Sequence, residues 1–260
     1  AGRSVRNLLR HLAQGEMTPE YFEKEFSPKD GIDYIHMVLK DDLTMDMSGI
    51  IDRVDIKETD DAIYVKVIDY KSGNKDIDFI EIAEGRQLQL AVYLSVMLEL
   101  LGKKYPDKRI IPSGMYYYQL SDKLIDGWDD EKLEKNRIKE SRLSGLVTNN
   151  DKCLEYMDHK TGEVVPVSYK DGKLSDKNPH VVTEEEIHAI SEFTRNKMIE
   201  LGMNIIRGQI DMRPRKGNAS PCNLCDFRSV CRFETGLGGN AYAVGSKYDK
   251  EQAKDMIFNS

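Results

Sequence analysis

The sequence predicts a protein of mixed helices and strands, and three observations support this. Four segments are rich in the β-branched and aromatic residues that favour strands, at residues 32–39, 44–56, 62–71 and 109–120. Residues 87–101 are apolar nearly all round and long enough to favour a helix, which we expect to be buried. A capping box of Thr183 and Glu186 begins a helix that runs to Ile206 and stops at Gly208.

Further helices are predicted from apolar spacing and capping residues. Four residues near the N terminus form one apolar stripe, which indicates a helix: Val5, Leu8, Leu9 and Leu12. Thr18 precedes Pro19, a residue favoured at the first helical position, so residues 18–26 are also predicted to be helical. Two more helices are expected at residues 129–142 and 145–157, within a polar stretch.

These elements divide the chain into four segments. We expect a helical lead-in at 1–28, a core at 29–121, a polar insertion at 122–180, and a C-terminal helix followed by a cysteine-rich segment at 181–260. The chain begins at Ala1 without an initiator Met, directly in a helical pattern. We therefore expect it to be a fragment, truncated at its N terminus, of a longer protein.

Composition limits the classes of protein that the chain can belong to. The 260 residues carry a formal net charge of −7 and are 40% hydrophobic, which suits one large domain or two small ones and argues against wholesale disorder. No apolar run approaches the roughly 20 residues of a membrane helix, and the N terminus lacks a signal peptide's apolar region. We expect a cytoplasmic protein with no membrane partner. The acidic balance alone would argue against a nucleic-acid partner.

Two carboxylates and a lysine are predicted to share one face of the sheet. The two-residue strand period places Asp69 and Lys71 at the end of an otherwise apolar face of residues 62–71. Asp52 lies among apolar neighbours in the preceding strand. If residues 58–61 form a four-residue hairpin loop, Asp52 opposes Val67 and has Asp69 as its diagonal neighbour, about 7–8 Å away.

Such a pair of carboxylates suits a hard divalent cation. Two nearby carboxylates repel each other, and Mg²⁺ or Mn²⁺ relieves that repulsion. The cation can activate water and stabilise charge on a phosphoryl group, while the Lys71 ammonium orients the nucleophile or neutralises phosphoryl oxygens. The alternative is a surface ion pair at a strand end, the usual interpretation of an isolated Asp-x-Lys.

The predicted buried helix carries two polar side chains on one face. Gln89 and Tyr93 are four residues apart and are therefore adjacent on a helix. Buried amide and phenol groups need hydrogen-bond partners, which a catalytic lysine, a scissile phosphate or the facing sheet can provide. The alternative is a core helix with two satisfied polar groups.

Three of the four cysteines form a compact group near the C terminus. Cys222-x-x-Cys225 is followed by Cys231, a spacing that suits Zn²⁺ or an iron–sulfur cluster although one ligand is missing. Three reduced structural cysteines are the alternative. Residues 204–232 contain six basic residues against two acidic ones, which favours DNA contact at this otherwise acidic chain's end: Arg207, Arg213, Arg215, Lys216, Arg228 and Arg232.

Taken in order, these motifs resemble those of RecB-type PD-(D/E)XK nucleases, and within them the AddB family of bacterial helicase-nucleases. The segments are GIIDRVD at 49–55, VIDYKSG at 67–73, QLQLAVYL at 87–94 and PCNLCDFRSVCRF at 221–233. The resemblance covers nearly the whole chain. It implies an α/β (α+β), restriction-endonuclease-like core with a mixed central sheet flanked by helices, a helical insertion and a Cys-rich C-terminal segment.

The resemblance also implies a function. It predicts a Mg²⁺-dependent deoxyribonuclease that degrades single-stranded DNA as an exonuclease, fed by an AddA-type helicase subunit in double-strand-break repair and recombination. Asp52, Asp69 and the Tyr70 backbone carbonyl would ligate Mg²⁺ or Mn²⁺. Lys71, Gln89 and Tyr93 would complete the catalytic site. The three C-terminal cysteines would hold a [4Fe–4S] cluster, with Zn²⁺ as the alternative metal.

Some features depart from the family pattern. The family's fourth cluster cysteine and its metal-site histidine lie upstream of the core, and neither has a match here, so we transfer no role to Cys153 or His11. A truncated chain would explain both gaps and leave the isolated fragment inactive. No Walker-type motif is present, so the chain is not an ATP motor by itself. Alternatives are a Cas4-like nuclease and a non-catalytic DNA-binding or scaffolding module with a degenerate site.

Overall fold

A six-stranded mixed sheet forms the centre of the molecule. The computed structural model describes residues 2–120, 130–171, 173–175, 178–216, 220–243, 246 and 248–259. The strands within these ranges are β1 (Thr18–Phe26), β2 (His36–Lys40), β3 (Leu43–Asp46), β4 (Gly49–Glu58), β5 (Ala62–Lys71), β6 (Arg109–Gln119), β7 (Ser144–Thr148), β8 (Tyr169–Lys170), β9 (Lys173–Leu174) and β10 (Val181–Val182). The central sheet has the order β1-β4-β5-β6-β7-β10, and β2–β3 and β8–β9 are separate pairs.

Helices cover both faces of this sheet. They are α1 (Gly2–Ala13), α2 (Phe79–Ala83), α3 (Gln89–Lys104), α4 (Asp130–Glu140), α5 (Asp151–Asp158), α6 (Glu184–Ile206), α7 (Arg228–Cys231) and α8 (Lys250–Phe258). On one face α3 packs on β5 and β6, with α6 and α8 outside it. The other face packs against the apolar side chains of α5 and residues 164–167. None of the described helices combines the length and apolar character needed to cross a membrane.

The connection from β5 to β6 explains why α3 is buried. β5 and β6 are parallel neighbours, so the chain must cross over between them, and α3 forms that crossover. Its apolar residues Leu90, Val96 and Met97 are almost completely buried. The predictions of a buried helix here, of β5 at residues 62–71 and of the α6 capping box are therefore confirmed.

Several predicted elements are wrong or incomplete. Residues 18–26 form strand β1 instead of a helix, because they pair with β4 in antiparallel register, which outweighs the cap signal of Thr18 and Pro19. The predicted helix 145–157 is strand β7 followed by α5. Gly145 lies so close to β6 that a Cβ atom there would be 2.1 Å from the Met115 carbonyl oxygen, which only glycine permits.

Other boundaries need smaller corrections. Residues 44–56 contain two strands, β3 and β4, which are separated at residues 47–48, and a 3₁₀ turn at Asp33–Ile35 precedes β2. The helix predicted at 129–142 is α4, although Asp129 itself lies outside the described residues. Because β7 and β10 belong to the central sheet, the segment 122–180 contributes a strand to the core. The four predicted segment boundaries stay predictions.

Candidate active site

The β4–β5 hairpin brings Asp52 and Asp69 to one end of the sheet. Val54 pairs with Val67 and Arg53 with Ile68, so continuing the register by one step sets Asp52 opposite Asp69. The predicted register, which made the two carboxylates diagonal neighbours, is wrong by two residues. The turn is tighter than the assumed four-residue loop, since the Thr59 N–H donates to the Ala62 carbonyl at 2.8 Å. A shift of two residues preserves the face, so both carboxylates still share it.

Backbone hydrogen bonding fixes the Asp52 carboxylate. The Tyr70 N–H donates to Asp52 Oδ2 at 2.8 Å, and this bond joins the ends of the two strands. The Tyr70 ring lies on the opposite face, with its centre 5.8 Å from that of Tyr118. The role of the Tyr70 carbonyl as a metal ligand stays a prediction.

Asp69 is the most enclosed charged group of the site. Its exposed fraction is 2%, and the Lys71 Nζ atom lies 2.6 Å from its Oδ2 atom. Burial raises the pKa of Asp69 above its ordinary value, and repulsion from Asp52 acts in the same direction, whereas the Lys71 ammonium opposes the rise. A carboxyl in this position gains from a nearby positive charge.

A chain of hydrogen bonds connects the lysine to the first turn of α3. The Lys71 Nζ atom donates to Gln89 Oε1 at 3.1 Å, and Gln89 Nε2 donates to the Tyr93 hydroxyl at 2.8 Å. The Tyr93 ring is buried and makes an edge contact with Phe26. The structure thus brings together the five side chains predicted to be catalytic, while their catalytic roles stay predictions.

Two residues of the site had not been predicted. Tyr117 of β6 pairs with Asp69 in the parallel register, and its ring centre is 5.8 Å from Lys71 Nζ. Burial raises the pKa of Tyr117 to about 12. The Gln87 side chain donates to the Tyr117 hydroxyl at 3.3 Å and to the Asp76 carbonyl at 2.7 Å. Only knowledge that β5 and β6 are neighbours would have identified Tyr117 from the sequence.

The donor set at the strand ends fits a hard divalent cation. Asp52 and Asp69 present carboxylates from adjacent strands on one face, and oxygen ligands are those that Mg²⁺ and Mn²⁺ prefer. A cation would also relieve the repulsion that contributes to the raised pKa of Asp69. Among the described residues no group of three or more His, Cys, Asp or Glu side chains surrounds one point. The protein would supply these two carboxylates, and solvent or substrate oxygens would complete the coordination.

The C-terminal cysteines are arranged differently. Cys222 is half-buried, Cys225 and Cys231 are exposed, and the three thiols do not surround one point in the part of the chain that the structure describes. The Cys231 Sγ atom lies 3.4 Å from the Met212 Sδ atom. Cys153 is in a separate core, where the Ser113 hydroxyl donates to its Sγ atom and burial raises its pKa to about 11. The cluster role of the three C-terminal cysteines stays a prediction.

The predicted DNA-binding cations near these cysteines are partly paired with carboxylates. Arg215 lies 3.0 Å from Glu81, and Arg213 lies 3.4 Å from Asp211. Lys216 and Arg228 are exposed. A contact between these cations and DNA stays a prediction.

Comparison with known proteins identifies the class. The family model of the PD-(D/E)XK nuclease superfamily matches residues 1–232, so the chain belongs to that superfamily. The predicted α/β class with a mixed sheet is confirmed by this match and by the fold.

Individual relatives point to one kind of protein. The chain is similar to proteins that are named as the B-type subunit of an ATP-dependent helicase/deoxyribonuclease. With the one from Clostridium botulinum it shares 31% identity over 98% of the chain and 23% of the relative. For Thermoanaerobacter pseudethanolicus the values are 32%, 97% and 22%, and for Lachnoclostridium phytofermentans 32%, 98% and 22%. The chain spans less than a quarter of these relatives. They confirm the resemblance inferred from the motifs.

Proposed function

We propose that this chain is a divalent-metal-dependent DNA exonuclease domain that hydrolyses phosphodiester bonds of single-stranded DNA. The observation that carries the proposal is the shared face of Asp52 and Asp69, with Lys71 held between Asp69 and Gln89. This combination of two carboxylates and an oriented ammonium matches the chemistry of phosphoryl transfer to water.

Each side chain has a role that its position supports. Asp52 and Asp69 would hold Mg²⁺ or Mn²⁺, which supplies positive charge to the phosphoryl oxygens when bound. Lys71 uses its contacts with Asp69 and Gln89 for orientation, and its remaining N–H donates to the substrate. In the reaction a water oxygen forms the new bond to phosphorus, the bond from phosphorus to the leaving ester oxygen breaks, and the water's proton passes to solvent.

The test uses the full-length protein that carries this chain, together with its helicase partner. Asp69→Ala and Lys71→Ala should each slow cleavage of single-stranded DNA in Mg²⁺ by at least about 100-fold, since each removes charge or orientation from the reacting centre. Lys40→Ala, at an exposed position on the separate β2–β3 hairpin, should cut at the parent rate.

Two results would contradict the proposal. If Asp69→Ala and Lys71→Ala cut as fast as the parent, the catalytic assignment is wrong. If the parent does not cut, and calorimetry shows no Mn²⁺ binding that depends on Asp52, the module is a DNA-binding or scaffolding unit with a degenerate site.

We assign the DNA supply to an AddA-type helicase subunit, in double-strand-break repair and recombination, and the location to the cytoplasm. Support comes from the relatives, whose name describes a helicase and deoxyribonuclease subunit. Copurification of the full-length protein with an ATPase that unwinds DNA would support the partner. A full-length protein that degrades single strands while remaining alone would contradict it.

We also assign Cys222, Cys225 and Cys231 to a [4Fe–4S] cluster in the full-length protein, whose fourth ligand lies outside this chain. The CxxC spacing supports metal binding, and the exposure of Cys225 and Cys231 leaves them accessible to a ligand from elsewhere. Anaerobically purified full-length protein should contain iron and absorb visible light. Stoichiometric zinc without iron would overturn the assignment in favour of Zn²⁺.

A further inference from the structure

A polar cleft opens beside the catalytic site, on the side of β6 and β7. Its volume is about 620 Å³, within the range of ligand sites in proteins. The cleft is lined by the loop 73–76 that follows β5, by Tyr117 and Gln119 of β6, by residues 139–144 and by two loops at 166–168 and 178–180. None of these residues takes part in the proposed hydrolysis.

The cleft is continuous with the reacting centre through Tyr117. This residue pairs with Asp69 in the sheet, and the Nζ atoms of Lys71 and Lys75 lie 5.8 Å and 6.0 Å from its ring centre. Lys75 is close enough to Asp69 for its charge to lower the pKa of that carboxyl. A ligand in the cleft would therefore begin where the scissile group ends.

The cations of the cleft are more available than its anions. Lys75, Lys139 and Arg142 line it, in a chain whose formal net charge is −7. Of the two lining carboxylates, Asp76 is already occupied, since its Oδ1 atom accepts hydrogen bonds from the Ser144 hydroxyl at 2.6 Å and from the Ile77 N–H at 2.8 Å.

Arg142 provides a second, independent indication of a ligand. Its Nε atom is buried and has no hydrogen-bond partner in the part of the chain that the structure describes. A buried donor without an acceptor is unfavourable, and a guanidinium is the side chain best shaped to hold a phosphate. The cleft thus combines an unsatisfied guanidinium with a lysine that lies nearer the catalytic carboxylates.

We infer that this cleft holds the DNA strand next to the scissile bond, with Arg142 and Lys75 contacting backbone phosphates one or two nucleotides away. The inference rests on the proposed nuclease function and names where the substrate lies. It replaces the cysteine-proximal arginines as the nearest phosphate contacts, because Arg213 and Arg215 are paired with carboxylates. Phosphate contacts of this kind position a strand without reading its sequence.

The test couples each side chain to one phosphate. Short single strands carry a neutral methylphosphonate at one defined linkage beside the cleavage position, and the full-length complex cuts them in Mg²⁺. In the parent, neutralising the contacted linkage should raise KM about tenfold. Arg142→Gln should raise KM on unmodified DNA by a similar factor, and the methylphosphonate should then have no further effect. Its KM should also depend less on salt, by about 0.7 in the logarithmic slope.

Matched variants keep the test decisive. Lys75→Gln, at an exposed position, repeats the measurement at a second linkage if Arg142→Gln does not fold. Lys40→Gln removes an exposed charge on the β2–β3 hairpin and should leave KM and the methylphosphonate effect unchanged. Additive effects of methylphosphonate and Arg142→Gln would overturn the inference, as would a loss confined to inhibition by product mononucleotide. A parent that does not cut DNA would instead contradict the proposed function.

Discussion

The two faces of strands β4 and β5 carry similar charged residues in very different surroundings. On the catalytic face, Asp69 is buried but the Lys71 side chain is 32% exposed, and the groups stand at the strand ends. On the opposite face, Arg53, Asp55 and Lys66 are 3%, 0% and 4% exposed. The first set is open to a substrate, whereas the second set is closed.

The closed set is satisfied within itself. Arg53 Nε and Nη2 each donate to one oxygen of Asp55 at 2.6 Å, and Lys66 Nζ lies 3.4 Å from Asp55 Oδ2. Burial lowers the pKa of Lys66, and Asp55 opposes that shift. Charges in a strand therefore do not by themselves indicate function. What distinguishes a reactive set is its access to solvent and its incomplete pairing.

The largest predicted effect is on the closed set. Asp55→Asn would leave Arg53 and Lys66 buried without their counter-charge, so we expect β4 and β5 to lose about 3–5 kcal/mol of stability. Hydrogen exchange of the β4 and β5 amides in the full-length protein would measure this loss.

The matched control is Asp52→Asn on the catalytic face. The amide oxygen can still accept the Tyr70 N–H, so protection of the strands should fall by less than about 1 kcal/mol while cleavage is lost. Equal loss of protection in the two variants would show that the two faces do not differ as described.

A second prediction concerns pH and the closed face. His11 of α1 packs edge-on against Tyr118, and burial lowers its pKa to about 3, with Lys66, Arg10 and Arg53 acting in the same direction. The unfolded chain, whose histidine has a pKa near 6.5, therefore binds a proton first as pH falls. Stability contributed by neutral His11 is complete above about pH 6.5 and is lost progressively down to about pH 3.

The expected loss at pH 5 is about 2 kcal/mol relative to pH 8. Exchange of the α1 and β6 amides, corrected for the intrinsic effect of pH, would measure it. His11→Leu should abolish that part of the pH dependence. An unchanged pH profile in His11→Leu would mean that His11 is accessible to protons in the folded state.

How far the sequence could predict this molecule depends on the range of the interactions involved. Local patterns were enough for β5, for the buried helix α3 and for the α6 cap at Thr183. The face shared by Asp52 and Asp69 was also predictable, because an error of two residues in register preserves the face. Tertiary pairing decided the rest. β1 became a strand only through β4, and Tyr117 entered the site only through the β5–β6 pairing.

The smallest predicted effect tests the open face through Gln89, a positioning residue. Gln89→Leu removes the acceptor of Lys71 and the donor to Tyr93 at an exposed position, so kcat should fall about tenfold, equivalent to about 1.4 kcal/mol, with little change in KM or strand protection. Gln89→Glu retains an acceptor for Lys71 and should recover part of kcat. Steady-state cleavage of single-stranded DNA by the full-length complex measures both variants. If Gln89→Leu instead lowers protection of α3 in proportion to kcat, Gln89 supports the fold, and the open face depends on packing as the closed one does.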